Sequence, residues 1–373
     1  MQNMPLLSLL KQPQIIKKFT NTDWNLTLRQ ADEAKMLARV DALIIDNDLQ
    51  SYVPEKINHH FYSEQVRIKH LHVQVKEEVK LLNQMFAHLG ITPIYLKGAA
   101  YVLAGYKLAM SRTFGDIDIL VNKDQINSTE IALKCQGWVS QKNNDHDQEY
   151  YRKYMHEIPP MQNIARGTII DIHHNILPVC TNETIDITEL TAHAKLVDTA
   201  QGQQEYVLSP EAMFLHSAIH LFHEGELEQG LRGLSDLGLL FQHFNQTEDD
   251  FSQQLITLAK TINHQQSLYY AWHYLELILS RTLPNKAQLF VTAYQKNMRH
   301  AKLMDFIFTQ QLIPHHSSVK TWKFSLSSTL VYWRGHLLRM PLKLLIPHLL
   351  TKTLRQLKES FKRPAVTPEH FDG

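Results

Sequence analysis

Cysteine is scarce in this sequence, because its 373 residues include only two, Cys135 and Cys180. A small secreted domain held together by disulfides contains several cysteine pairs, and a thiolate zinc site needs closely spaced cysteines. The cysteine content therefore excludes both classes and predicts a protein of the reducing cytoplasm.

Long apolar runs are also absent, since no stretch reaches the roughly 18 residues that a membrane-spanning helix requires. The N-terminus, MQNMPLLSLLKQPQIIKK, has a short apolar run without a small-residue cleavage site, so we predict no secretory signal. A hydrophobic content of 44% over this length is enough for a sizeable core and for two domains. We expect a soluble protein, or at most one peripheral to a membrane.

Two aspartates one residue apart, Asp116 and Asp118, begin a short apolar stretch, DIDILV. Alternate residues of a strand project from the same face, so the two carboxylates point together while Ile117 and Ile119 enter a core. Neighbouring carboxylates repel each other unless a cation lies between them. The pair predicts an oxygen-liganded divalent metal, Mg²⁺ with Mn²⁺ as the alternative, and Gly115 is expected to allow a tight entry into the strand.

Lys97 and Gly98 lie upstream of the two aspartates. They follow a predicted strand at residues 91–96 and open a predicted helix at 99–108. Backbone N–H groups at a helix N-terminus bind anions. Lys97 adds a point charge and Arg112 a forked donor, and both suit a polyphosphate. We therefore expect these residues to bind a polyphosphate.

The arrangement resembles the nucleotidyltransferase superfamily that includes DNA polymerase beta, and within it a bacterial family with L-K-G followed by R-x-x-x-D-x-D-x-L-V. The matching residues are 96–98, LKG, and 112–121, RTFGDIDILV. The sequence departs from the commoner Gly-Ser or Gly-Gly opening by placing Lys97 before Gly98, which affects the expected triphosphate contacts but not the metal pair. The resemblance implies an α+β fold, with a small mixed sheet flanked by helices.

The resemblance also implies a third acidic residue on a later strand, and segment 167–176, GTIIDIHHNI, supplies Asp171. Its alternation predicts a half-buried strand with Ile170 and Ile172 in the core and with Asp171 and His173 on the other face. A lone D-x-D is common by chance, but the ordered set favours catalytic and metal-binding roles for the three aspartates. Whether His173 packs or takes part in catalysis stays open.

Three regions follow one another along the chain: a helical region, a catalytic domain and a helical domain, at residues 1–88, 89–207 and 208–373. Periodicity predicts further helices at 21–32 and 64–89, and further strands at 150–158 and 196–207.

The second helical region begins with a start signal, Ser209 followed by Pro210. The helix after it carries His216, His220 and His223 on one face, a spacing that can bind zinc. The H-E-x-x-H pattern of metalloproteases is absent, and we favour another interpretation.

That interpretation places His220 in the cleft between domains or in contact with Asp236. Arg232 precedes Asp236 by four residues, a spacing that predicts an ion pair within one helix. The resemblance extends to this R-x-x-x-D spacing and covers about residues 24–244.

The C-terminal segment is strongly basic, because residues 320–363 contain ten lysines and arginines against one acid, Glu359. The near-neutral chain therefore combines a tail of +9 with a body of −8. A basic amphipathic tail can bind an anionic membrane. Pro341 and Pro347 favour the alternative, short helices packed on the acidic body.

The predicted function is metal-dependent transfer of a nucleoside monophosphate from a nucleoside triphosphate, with ATP favoured, to an acceptor with release of pyrophosphate. A small molecule or a peptide is the expected acceptor, and nucleic acid is disfavoured because the body is net acidic. Two alternatives stay open. One is a catalytically silent, nucleotide-binding regulatory module, and the other is a membrane-peripheral assembly factor acting through the basic tail.

Overall fold

The centre of the fold is a seven-stranded mixed sheet, which is flanked by helices. A computed structural model describes residues 4–142, 144–181, 183–198, 202, 204–343 and 345. The strands in chain order are β1 (Ile94–Tyr95), β2 (Asp116–Leu120), β3 (Trp138–Ser140), β4 (Met161–Asn163), β5 (Ile169–His173), β6 (Lys195–Asp198) and β7 (Gln204–Val207). Their order across the sheet is β3-β4-β5-β2-β1-β7-β6. The predicted α+β class is confirmed.

Helices make up most of the remaining chain. In chain order they are α1 (Pro5–Lys11), α2 (Asn21–Glu33), α3 (Leu37–Asp46), α4 (Glu55–Ala87), α5 (Lys97–Leu103), α6 (Ile126–Cys135), α7 (Asp145–Tyr154), α8 (Ile187–Thr191), α9 (Pro210–His223), α10 (Gly230–Thr247), α11 (Phe251–Thr261), α12 (Gln265–Leu279), α13 (Asn285–Asn297), α14 (Ala301–Gln311) and α15 (Trp322–Arg339). None of the helices in the described ranges is both long enough and apolar enough to cross a bilayer.

The middle of the sheet follows from the alternation of β2 and β5. Ile117 and Ile119 of β2 are almost fully buried, as are Ile170 and Ile172 of β5. The two strands run parallel and pair in a register that places Asp118 opposite Asp171. Burial of the isoleucines on one face of the sheet therefore sends both carboxylates to the opposite face.

Several helix predictions are confirmed. The Ser209 side chain accepts a hydrogen bond from the N–H of Ala212 and caps α9, which begins at Pro210 as predicted. Helix α2 begins at Asn21, and Thr20 and Asp23 form a capping box around its start. The helix predicted at 64–89 is the C-terminal part of the longer α4.

Other element predictions are wrong. Residues 150–154 of the strand predicted at 150–158 belong instead to helix α7, which Asn144 caps by accepting from the N–H of Asp147. The strand predicted at 91–96 is reduced to the two residues of β1. The helix predicted at 99–108 starts at Lys97 and ends at Leu103, because Gly105 takes a positive φ of 67°.

One hydrophobic core runs through the molecule, with members from Leu6 in α1 to Val331 in α15. All three predicted regions contribute to it, and their division into domains stays a prediction. In the basic segment, Arg334 donates to the carbonyl of Phe222 and Arg339 pairs with Glu224, so α15 packs on the end of α9. The rest of the tail, residues 346–363 with Pro347, lies outside the described residues.

Candidate active site

Asp118 is the most deeply buried of the three predicted acids. Lys97 Nζ donates to its Oδ1 at 2.7 Å, and His173 Nε2 lies 3.1 Å from the same oxygen. Burial alone would raise the pKa of Asp118, but Lys97 and His173 hold it well below its usual range. Asp118 is therefore a fixed negative charge in the middle of the sheet.

Asp171 stands beside Asp118 on the neighbouring strand, in a different electrostatic state. Its Oδ1 is buried and has no hydrogen-bond partner among the described residues. Burial, and then the charges of Asp118 and Asp116, raise the pKa of Asp171 to about 7. The two central carboxylates thus differ in proton affinity although they share one face of the sheet.

These side chains form a group that could hold a cation. One ligand atom each from Asp118, Asp171 and His173 lies within 4.8 Å of the others. Asp116 lies outside this group, at the start of β2, where it is partly exposed to the cleft. Burial and the charge of Asp118 raise the pKa of Asp116. A divalent cation fits here, because the buried oxygen of Asp171 has no donor and the carboxylates repel one another.

His173 connects this group to a further acid that the sequence patterns did not identify. Its Nδ1 lies 3.3 Å from Glu157 Oε2, and its ring stacks on His156 with centroids 5.4 Å apart. Burial alone would lower the pKa of His173, but the hydrogen bond to Asp118 and the charge of Glu157 raise it. The buried ring therefore both packs and touches a candidate metal ligand.

Lys97 has an unusual backbone at the start of α5. Its φ is +47°, in the left-handed region that side chains other than glycine seldom adopt. The ion pair with Asp118 and the turn from β1 into α5 hold it there. Lysine thus occupies a conformation that normally favours glycine, and such strain is concentrated at functional sites.

Arg112 is anchored from the opposite wall by Asp236. Its Nε donates to Asp236 Oδ2 at 2.7 Å, and the guanidinium lies over the Tyr101 ring with its carbon 5.5 Å from the centroid. Arg112 Nη1 is buried without a hydrogen-bond partner among the described residues. The side chain is held rigidly and retains a donor that a phosphate oxygen could satisfy.

A cleft of about 410 Å³ opens over Asp116, Asp118 and Gly115. Five cationic side chains line it, from Lys35, Arg67, Lys97, Arg112 and Arg232. Lysine and arginine clusters of this kind bind phosphate oxygens. The cleft therefore brings Asp116 and Asp118 together with more positive charge than the sequence patterns indicated.

The family comparison agrees with this combination of acids and cations. Residues 20–280 match a family described as uncharacterised nucleotidyltransferase. The chain belongs to this family. An antigenic nucleotidyltransferase-like protein from Paracoccidioides brasiliensis is a similar solved structure, with 16% identity, a TM-score of 0.31, and coverage of 56% of this chain and 97% of that one. No curated protein matches the chain.

Family membership supports a transferase. The two glycines of the matched motif, Gly98 and Gly115, differ in whether the structure requires glycine. A Cβ atom on Gly98 would lie 2.5 Å from Phe114 Cγ and 2.8 Å from Arg112 Nη1, so glycine lets both side chains pack against α5. Gly115 differs, because its φ is not in the left-handed region and a Cβ would meet nothing within 4 Å. The chain bends at Gly115 as it enters β2, but neither a positive φ nor a close contact requires glycine there, and the residue lines the cleft.

We expect Gly98→Ala to lower the free energy of unfolding by about 1–3 kcal/mol, since the new methyl group must displace Phe114 or Arg112. Unfolding in urea measures this cost. Gly115→Ala is the matched control and should change stability by less than about 0.5 kcal/mol. Equal costs for the two variants would contradict this account of Gly98.

Two predicted cleft residues have partners other than those expected. Asp236 pairs with Arg39 and Arg112, while Arg232 donates to the Thr113 carbonyl at 3.1 Å, so the predicted hydrogen-bonded ion pair between Arg232 and Asp236 is not formed. Helix geometry permits that pair, but Asp236 turns toward arginines on other elements. Burial, and then the charge of Arg112, lower the pKa of Arg232 to about 10, so it stays cationic.

The histidines of α9 separate in the structure. His220 lines the cleft, and its Nδ1 lies 3.3 Å from Glu224 rather than against Asp236. His216 is buried next to His220, with ring centroids 6.5 Å apart, and burial lowers its pKa well below the usual range. His223 leaves this pair and contacts Glu183 at 2.8 Å.

Sequence reasoning missed Lys35, Arg67 and Arg39, which come from the N-terminal helical region. Lys35 follows α2 in a left-handed conformation, with φ of 54°, and Arg67 lies on α4. Neither belongs to a local motif, and only the packing of α2–α4 beside the sheet brings them near β2. No pattern in the sequence alone could have identified them.

Proposed function

We propose that this protein transfers a nucleoside monophosphate from a nucleoside triphosphate to an acceptor, releases pyrophosphate and requires a divalent metal. The observation that carries the proposal is the combination of three aspartates on adjacent strands with a cleft lined by five cationic side chains. Nucleotidyl transfer needs this combination, because the transition state is highly anionic.

The cationic wall of the cleft is proposed to bind the triphosphate. Lys97, Gly98 and Arg112 are the motif residues assigned to it, with Arg232 beside them. Arg112 supplies an unpaired buried donor at Nη1, and Lys97 carries a charge already placed by Asp118. Lys35 and Arg67 extend this charge toward the solvent, so they are proposed to steer the nucleotide into the cleft.

Asp116, Asp118 and Asp171 are proposed to hold Mg²⁺, or Mn²⁺ in its place. Asp118 is ionised, and Asp171 presents a free buried oxygen beside it. Bound there, the metal would offset negative charge on the phosphates as pyrophosphate departs. His173 orients Asp118 through its Nε2 and is itself positioned by Glu157.

The chemical step is an in-line displacement. An oxygen or nitrogen of the acceptor forms a bond to the α-phosphorus, while the bond from that phosphorus to the bridging oxygen of pyrophosphate breaks and its electron pair leaves with pyrophosphate. The acceptor loses a proton, and Asp171 is proposed to take it. A pKa of about 7 in the metal-free protein suits a general base at neutral pH, and a metal on the same carboxylate would lower it, so Asp171 is proposed to act as the base or as a metal ligand.

The acceptor is proposed to enter through an adjoining cavity of about 320 Å³, between the proposed catalytic domain at 89–207 and the helical domain at 208–373. Four carboxylates line it, from Glu224, Glu226, Glu228 and Asp236, together with three cationic side chains, from Lys97, Arg112 and Arg232. This mixed charge and the limited volume favour a small molecule or a peptide over a nucleic-acid backbone. ATP stays the favoured donor.

The test is incubation of purified wild type and Asp116→Asn with magnesium, each α-labelled nucleoside triphosphate, and cell extract as the acceptor source. The wild type is expected to release pyrophosphate and to label a product that Asp116→Asn does not label. Asp124→Asn is the matched control, because this exposed acid follows β2 outside the cleft.

The mass of the labelled product would identify the acceptor class. Labelling by Asp116→Asn at the wild-type rate would remove Asp116 from the mechanism. Nucleotide binding without pyrophosphate release would instead indicate the silent regulatory module.

A further inference from the structure

A second group of possible metal ligands lies outside the proposed active site. Glu183 comes from the segment between β5 and α8, His223 ends α9, and His264 directly precedes α12. One ligand atom from each lies within 4.8 Å of the other two. We propose that Glu183, His223 and His264 bind one divalent transition-metal ion of the zinc class.

The hydrogen bonding of His223 prepares its Nε2 for a cation. Its Nδ1 lies 2.9 Å from the Ile219 carbonyl oxygen. Since a carbonyl only accepts, Nδ1 carries the proton and donates it. When the ring is neutral, Nε2 therefore carries a lone pair, and Nε2 lies 2.8 Å from Glu183 Oε2. The lone pairs of this nitrogen and this oxygen repel each other unless a proton or a metal ion lies between them. Metal-binding histidines commonly donate their other N–H to a backbone carbonyl in this way.

The burial and the surroundings of His264 indicate a bound ligand independently of His223. The residue is only 4% exposed, and its ring makes no hydrogen bond within the described ranges. It meets the ring of His223 edge-on, with centroids 5.6 Å apart. A metal ion would give this ring a partner.

The chemistry of the donors selects the class of ion. Two imidazole nitrogens and one carboxylate oxygen are borderline ligands that suit Zn²⁺ better than Mg²⁺ or Ca²⁺. Three protein ligands leave a fourth position for water.

The nearby positive charge of Arg334 is held by other groups. It donates to the carbonyl of Phe222 and stacks over Tyr270 and Phe308, with centroid distances of 5.7 and 5.3 Å. Since Glu183 contributes a negative charge, the site has an acid to offset both Arg334 and part of the ion's charge.

The three ligands come from segments far apart in sequence, so the ion would tie the chain after β5 to the helical domain. This site is separate from the proposed catalytic group. Its loss would therefore change metal content and stability whether or not the protein transfers nucleotides.

The test is equilibrium dialysis of the full chain against Zn²⁺ alone, with bound metal measured by mass spectrometry. Asp171→Asn is included because the catalytic carboxylates can also take zinc. We expect the wild type and Asp171→Asn each to bind one equivalent of zinc at Glu183, His223 and His264. His264→Gln should lose this equivalent, because its affinity for zinc at the site falls by on the order of 100-fold or more. Zinc should raise the midpoint of thermal unfolding of wild type and of Asp171→Asn, but not of the double variant Asp171→Asn/His264→Gln, in which both groups are altered.

Glu183→Gln provides a second variant with little risk to the fold, because 39% of its side chain is exposed. Circular dichroism verifies that both variants fold. The proposal is overturned if the wild type binds no zinc beyond what Asp171→Asn loses. It is also overturned if Glu183→Gln, or folded His264→Gln, binds zinc as tightly as the wild type.

Discussion

Asp171→Asn should reduce nucleotidyl transfer by at least about a thousandfold and should leave the metal-free protein as stable as the wild type, or more stable. The loss of activity follows from removing a proposed metal ligand and base, since about 4 kcal/mol of transition-state stabilisation corresponds to three orders of magnitude. The gain in stability follows from the surroundings of Asp171, because its carboxylate is buried beside Asp118 without a donor at Oδ1.

The pH dependence of that stability has a defined sign. The pKa of Asp171 is about 7 in the folded protein and 3.8 as its ordinary value, so between these values the folded state binds a proton that the unfolded state has lost. The contribution of Asp171 is therefore present below about pH 4 and is lost as the pH rises to about 7. The stability difference between Asp171→Asn and wild type should grow over this window and level off above it.

The size of that difference is at most a few kcal/mol, at about 1.4 kcal/mol per pKa unit, and solvent reaching the partly accessible side chain reduces it. Unfolding in urea with a chelator, from pH 4 to 8, measures it. Asp124→Asn is the control and should show no such trend. Transfer within tenfold of wild type, or a destabilised variant at pH 8, would contradict the assignment of Asp171.

The two acidic strands could be predicted because their signals are local. In β2 and β5, isoleucines alternate with polar residues, and this period-two pattern alone fixes which side chains share a face. The contact between Asp118 and Asp171 is different, since it depends on the parallel pairing of two strands separated by α6, β3, α7 and β4. Only the resemblance to a known family connected them in advance.

Helix α7 shows why the strand prediction at residues 150–158 is wrong. The segment predicted as a strand contains Tyr150, Tyr151 and Tyr154, and aromatic residues are frequent in strands. The deciding signals were the cap at Asn144, acids in the first turn and the basic pair of the last turn, which stabilise a helix through its termini. Terminal signals decide here because α7 is short and none of its side chains that the structure describes is fully buried.

The partners of the cleft residues could not be predicted at all. Arg232 and Asp236 have the spacing of a helical ion pair, but Asp236 binds Arg39 and Arg112 instead. Such choices depend on which elements pack against α10, and side-chain spacing within one helix does not contain that information. The cationic wall of the cleft is likewise assembled from three separate regions of the chain.

Asp236→Asn is expected to lower the free energy of unfolding by about 3–5 kcal/mol, the largest stability effect we predict. Asp236 Oδ1 accepts from Arg39 Nη2, and its Oδ2 accepts from Arg112 Nε, each at 2.7 Å. All three side chains are nearly buried, so the asparagine would leave two guanidinium groups without a counter-charge in a site that excludes water. Unfolding in urea at neutral pH measures the loss.

The exposed pair of Lys107 and Asp46 provides the control, since 76% and 41% of these side chains are accessible to solvent. Asp46→Asn should cost less than about 1 kcal/mol, as exposed ion pairs do. Arg39→Met should cost less than Asp236→Asn, because Asp236 would still neutralise Arg112. If Arg39→Met were the more damaging variant, the hydrogen bonds of Arg39 to Ser111 and Ser235 would matter more than the charge of Asp236. The expected order instead makes Asp236 the residue that keeps Arg112 aimed into the cleft, so that nucleotide binding and stability should fall together.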